Sequence, residues 1–134
     1  MSENAEHHLN NIQSQTQKFN EALVKMTVLL YQIDGKITLT EQDYFEELTN
    51  KLKWTSGTVL PAFLSQAIHE AREAIAQGQE REYLRNLGDD LNIDPARAFE
   101  VAMDITAVDG KRSDEELELL SLLSNRVLAR GLVA

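Results

Sequence analysis

The stretch "IDGKITLTEQDYF", Ile33 to Phe45, has a counterpart in "VDGKRSDEELELL", Val108 to Leu120, and the correspondence extends on both sides without a gap. Upstream, Met26 falls on Val101, Leu30 on Ile105 and Ile33 on Val108. Downstream, Thr38 falls on Ser113, Glu41 on Glu116 and Phe45 on Leu120, and "LTNKL" from Leu48 meets "LSNRV" from Leu123. Each unit reads as helix, Asp-Gly turn, helix. A chain that writes this unit twice, over about residues 26–52 and 101–127, is held to few folds. The expected one is an all-α helical bundle with two pseudo-symmetric helix-turn-helix repeats.

The rest of the chain supports helices throughout. It has only two prolines and six glycines, and no segment alternates strictly between apolar and polar residues as a half-buried strand does. A first helix is expected from about Ala5 to Ile33, with Leu9, Ile12, Phe19, Leu23, Met26, Leu30 and Ile33 at alternating steps of three and four, and Thr16 in the one gap. From Phe19 onward this stripe reads as the core-facing side of one long amphipathic helix. Residues 1–18, rich in Asn, Gln and Ser, read as a polar N-terminal arm or helix extension, and residues 19–134 as a single helical domain.

A second helix follows from about Thr38 to Lys53, carrying Tyr44, Phe45, Leu48 and Leu52. After "WTSGT", Pro61 suits the first turn of a third helix that stops near Gly78. A short charged helix covers "QEREYLRNL". "NIDPARAF" then supplies Asp94 as N-cap and Pro95 at the first helical position of a fifth helix towards Asp109. The sixth starts at Ser113 and carries Leu117, Leu120, Leu123 and Val127.

Charge and composition narrow the function. The 134 residues suit one domain. Thirteen Lys and Arg against twenty-two Asp and Glu leave a net charge of −9, which argues against a nucleic-acid-binding face and against docking on anionic lipid. The absence of Cys excludes disulfides, thiolate metal sites and thiol nucleophiles. No apolar run has the length of a membrane span, so no membrane insertion is expected. The start "MSENAEHHLNN" lacks the features of a secretory signal, so a cytoplasmic location is expected.

The repeated motif admits two chemistries. Thr38-x-x-Glu41 and Ser113-x-x-Glu116 each spell the capping box, in which the hydroxyl accepts from the third amide and the Glu reaches back to the cap's own amide. The glycine of each Asp-Gly pair suits a left-handed turn closing the preceding helix. The Asp is demanded by neither device. Asp, Gly and a Glu seven positions after the Asp imitate the second half of an EF-hand loop, but the first half is missing, with Leu30 and Gln32, or Ile105 and Ala107, at its ligand positions. Metal binding is the reading preferred for the repeated Asp. If the repeats pack face to face, Asp34, Glu41, Asp109 and Glu116 would offer four carboxylates to a divalent cation such as calcium, magnesium or manganese, with zinc a poorer match in the absence of Cys.

Two copies of an apolar helix ending in Asp-Gly and followed by an acidic helix start, with "LGDDLNIDPARAFEVAMDITAVDGKRSDEE" as the fuller stretch, resemble the tellurite-resistance TerB-like family. A similar module occurs at the start of some membrane-anchored J-domain co-chaperones. The resemblance covers roughly Phe19 to Leu128. It implies an all-helical pseudo-symmetric domain, acidic positions proposed to bind metal (Asp34, Glu41, Asp109 and Glu116), and a bacterial stress-response role. Glu115 also matches an acidic position, but its counterpart in the first copy is Thr40.

No other constellation carries chemistry. His7 and His8 lie in the arm, His69 has no second His at a zinc-binding interval, and there is no Gly-rich phosphate loop. Asp89-Asp90 reads as a solvated turn, and Trp54 as a cover for one end of the bundle. An enzyme is not expected. Two classes remain. One is a non-enzymatic, metal-binding stress-response protein. The alternative is a helical adaptor for an unidentified protein partner, in which the Asp-Gly-Lys motifs are only turns and caps, with homodimerisation through the N-terminal helix as a further expectation.

Overall fold

The computed structural model describes residues 2–33, 39–52, 54, 58–107, 110 and 112–128, with side chains from Ser14 onward. Among these residues all regular structure is helical, and the chain is an all-α bundle. The elements are α1 (Ser2–Gln32), α2 (Leu39–Lys51), α3 (Leu60–Ala76), α4 (Glu80–Asn86), α5 (Gly88–Leu91), α6 (Pro95–Ala107) and α7 (Asp114–Leu122), followed by a π-helical turn, Leu123–Val127.

The first helix organises the rest, packing against α2, α3, α5 and α6. Its 31 residues span roughly 46 Å at about 1.5 Å per residue. Ser14, Gln15, Thr16 and Lys18 are exposed, whereas from Ala22 to Gln32 every side chain but that of Lys25 is buried. This departs from the expected one-sided stripe, because Val24, Val28 and Leu29 lie off the seam and are as buried as Leu23 and Met26. A helix with neighbours on several sides needs apolar residues all round, and "ALVKMTVLLY" supplies them. The Thr27 hydroxyl donates to the Leu23 carbonyl at 2.7 Å, so its burial leaves no orphan donor. Lys25 is half-buried, with Nζ 5.7 Å from the centre of the Phe63 ring and 3.6 Å from the Glu70 carboxylate.

Local signals fix most helix ends. Pro61 stands in the first turn of α3, after Val59 as an extended N-cap. Beyond the other end, Gly78 takes a positive φ of 68°. The Arg97 amide donates to Asp94 Oδ1 at 3.2 Å, the cap expected before Pro95.

Two elements differ from the six expected helices. Asp89 and Asp90 belong to the short helical turn α5, in which Asp89 is exposed as expected while Leu87 and Leu91 on either side are buried. The last helix does not reach Val127 in α form. Leu123 and Leu128 are both fully buried, yet residues five apart on an α-helix point about 140° away from each other. The π turn removes the conflict: the Leu128 amide donates to the Leu123 carbonyl at 2.8 Å, and this wider turn returns the two leucines to nearly one face.

Candidate functional site

The start of α7 can be built atom by atom. Gly110 takes a φ of 82°, the left-handed conformation a side chain disfavours, and its amide donates to the Ala107 carbonyl at 2.9 Å. Ser113 is the N-cap: its hydroxyl accepts from the Glu116 amide at 3.1 Å, while Glu116 Oε1 accepts from the Ser113 amide at 2.9 Å. Arg112 ties the turn back onto α6, donating to the Met103 carbonyl and the Thr106 hydroxyl, both at 3.0 Å. A cation on the last turn of a helix also complements its dipole. Thr106 in turn donates to the Ala102 carbonyl at 2.8 Å.

Of the four carboxylates expected at a metal site, the structure describes two. Asp34 and Asp109 lie outside the described residues, as does Thr38. Glu41 and Glu116 occupy the same position in their helices, the third residue of α2 and of α7, and are only 2% and 3% exposed. Carboxylates buried this deeply are kept by polar partners, as Glu116 is by the Ser113 amide. Among the described residues no three His, Asp or Glu side chains gather closely enough to hold a metal ion. His69 is exposed, and the side chains of His7 and His8 lie outside the described part of α1. Trp54 packs against Phe63 with ring centres 4.9 Å apart and the rings tilted by 60°, and its Nε1 donates to the Thr58 carbonyl at 2.8 Å.

A second feature is a groove of about 360 Å³ between the end of α1, α2 and α3. Tyr31, Phe45, Leu64 and Ile68 form its apolar lining, with Gln42, Glu46 and Thr49 along the α2 side. The Tyr31 and Phe45 rings meet at 5.6 Å and 45°. Burial raises the Tyr31 pKa, partly offset by its hydrogen bond with Gln32 and by the charge of Arg72, with the Glu41 carboxylate adding a smaller upward push. The solvent side of α2 is acidic, with Asp43, Glu46 and Glu47 exposed.

The third helix explains why this groove is apolar. Its apolar positions form two adjacent stripes. Phe63, Ala67, Ala71 and Ala74 are buried, whereas Leu60, Leu64, Ile68 and Ile75 are only half-buried. A helix that turns alanines inward and leaves its larger aliphatic residues partly in water reverses the usual order of burial. The sequence predicts this helix but not the groove beside it. The signal available was the width of the α3 apolar face, too broad for one contact.

Two tyrosine–carboxylate pairs link separate helices. Tyr44 donates to Asp104 at 3.2 Å, joining α2 to α6, and Tyr83 donates to Glu70 at 3.3 Å, joining α4 to α3. Burial first, then the charge of Asp104, pushes the Tyr44 pKa up to about 12. Burial and Glu70 raise that of Tyr83 in the same way.

Comparison with protein-family models, with curated proteins and with solved structures finds no match to this chain.

Proposed function

We propose that this is a non-enzymatic, TerB-like helical interaction module that holds an amphipathic helix of a protein partner in the groove between α1, α2 and α3. The observation that carries the reading is the inverted burial of α3. Leu64 and Ile68 stay half-buried beside Tyr31 and Phe45, while alanines take the core. Such a surface gains by being covered. Glu46, the carboxylate on the groove lining, favours a partner helix with a Lys or Arg beside its apolar anchors.

The family reading rests on the repeat, and paired burial is in keeping with it. Met26 and Val101, Leu30 and Ile105, Glu41 and Glu116, Phe45 and Leu120, and Leu48 and Leu123 are buried in both copies. The bacterial stress-response setting implied by the resemblance is part of the same proposal, as are a cytoplasmic location and homodimerisation through the seam of α1.

The test is selection of helical peptides from a random displayed library on the immobilised domain. Binding by the selected peptides should fall at least about tenfold on Ile68→Asp, read in variant protein whose helical circular dichroism matches wild type, since Ile68 also packs against the core. Selected binders indifferent to Ile68→Asp and to Leu64→Asp would exclude the groove.

One observation goes with the second reading, a divalent cation held by Asp34, Glu41, Asp109 and Glu116: both described glutamates are deeply buried carboxylates at matching positions of the repeat. Calorimetric titration of calcium, magnesium, manganese and zinc into chelator-treated protein decides it. Glu41→Gln/Glu116→Gln keeps the capping oxygen and removes the charge. Heat of binding in wild type that disappears in a folded double variant supports the cation site, and no heat in either removes it.

A further inference from the structure

Away from the groove, a polar cleft of about 320 Å³ opens between the α4–α5 corner and the π turn, lined by Arg85, Gly88, Asp89, Asn92, Arg126 and Val127. We infer that this cleft binds a single oxyanion, a carboxylate or phosphate group, between Arg85 and Arg126. In a chain of net charge −9, two arginines lining one cleft stand out against the whole. Three other arginines are engaged: Arg81 pairs with Glu118, Arg97 with Glu100, and Arg112 with the end of α6. Arg85 reaches Glu82 only at 3.7 Å, and Arg126 makes no ion pair among the described residues. The guanidinium fork matches the paired oxygens of carboxylate or phosphate.

The cleft is held rigid by groups that do not themselves contact the anion. The Asn92 side-chain amide donates to the Gly88 carbonyl and to the Val127 carbonyl, both at 2.8 Å, which uses both its protons and ties α5 to the π turn. Gly88 lets the two walls approach, since a Cβ there would sit 3.3 Å from Val127 Cγ1. Walls fixed in this way spare a ligand the cost of ordering them. Asp89 on the lining sets a limit: it disfavours extended polyanions, so one oxyanion fits and a nucleic-acid backbone does not.

The experiment titrates inorganic phosphate and, separately, succinate into the isotope-labelled full chain at low, constant ionic strength, followed by amide chemical shifts. Saturable shifts at Arg85, Gly88 and Arg126 are expected with at least one of the two, and the arm that saturates identifies the chemistry. Arg85→Gln and Arg126→Gln should each weaken binding about tenfold, and Arg97→Gln should leave it unchanged. Asp89→Asn should tighten it by about twofold to threefold. The Arg85 side chain is more than half exposed and Arg126 is exposed, so the helical circular dichroism of each variant should match wild type. No saturation with either anion, or undiminished binding in Arg85→Gln/Arg126→Gln, overturns the inference.

Discussion

The hairpin of α1 and α2 and the hairpin of α6 and α7 share a sequence pattern and a buried Glu at the third position of the second helix, yet they finish differently. In the second hairpin, Thr106 and Leu120 stand where the first has Tyr31 and Phe45. Thr106 turns its hydroxyl back onto its own helix and receives Arg112, so that hairpin closes on itself. In the first, two aromatic rings meet and line an open groove with Leu64 and Ile68 of α3. Beyond the shared sequence pattern, the residue three positions before the Asp of the turn and the residue four positions after the Glu differ between the two hairpins, one tied down by Arg112 and the other left open beside α3.

Four experiments would break or sharpen that contrast. The largest effects belong to what the hairpins share. Leu30→Ala and Ile105→Ala remove equivalent, fully buried side chains, and each should destabilise by about 2–5 kcal/mol in urea unfolding. A cost confined to one of them would mean that only one hairpin carries the core. Next comes the turn: Gly110→Ala forces a side chain into a φ of 82° and should cost about 1–2 kcal/mol, read from the shift in the urea midpoint. The cap follows, with Ser113→Ala expected to lose about 1 kcal/mol and Glu116→Gln less, because the amide oxygen still accepts from the Ser113 amide.

The smallest effect is a pH dependence at the contact between hairpins. Tyr44 has a folded pKa raised from 10.0 to about 12, so the folded state holds the phenolic proton more tightly than the unfolded chain. That stabilisation is fully present below pH 10 and is lost as pH rises through 12. Stability should therefore fall across this window, and Tyr44→Phe should flatten the fall without removing it, because Tyr83 titrates in the same direction. A fall of equal slope in Tyr44→Phe would mean that Tyr44 is not held buried beside Asp104 in solution.

What the sequence revealed was what is local. Pro61, the Asp94–Pro95 start and the Ser113–Glu116 box each act within one turn of helix, and each was legible from spacing alone. The all-round burial of Val24, Val28 and Leu29 was not, because a seam of three-and-four steps identifies one side of a helix and says nothing of how many neighbours surround it. The π turn escaped for a related reason: only the demand that Leu123 and Leu128 share one core selects the wider turn. The groove depends on three helices meeting. Tyr31, Phe45 and Ile68 are distant in sequence, and the broad apolar face of α3 was the one trace it left there.

The most direct measurement is to select helical peptides on the domain and map their binding by amide chemical shifts, in wild type and in Tyr31→Thr/Phe45→Leu, which gives the first hairpin the residues of the second. If the open hairpin is the docking site, shifts centre on Phe45, Thr49, Leu64 and Ile68, the peptides carry basic residues beside their apolar anchors, and binding falls at least about tenfold in the variant. Shifts centred elsewhere, or full affinity in a folded variant, would contradict it.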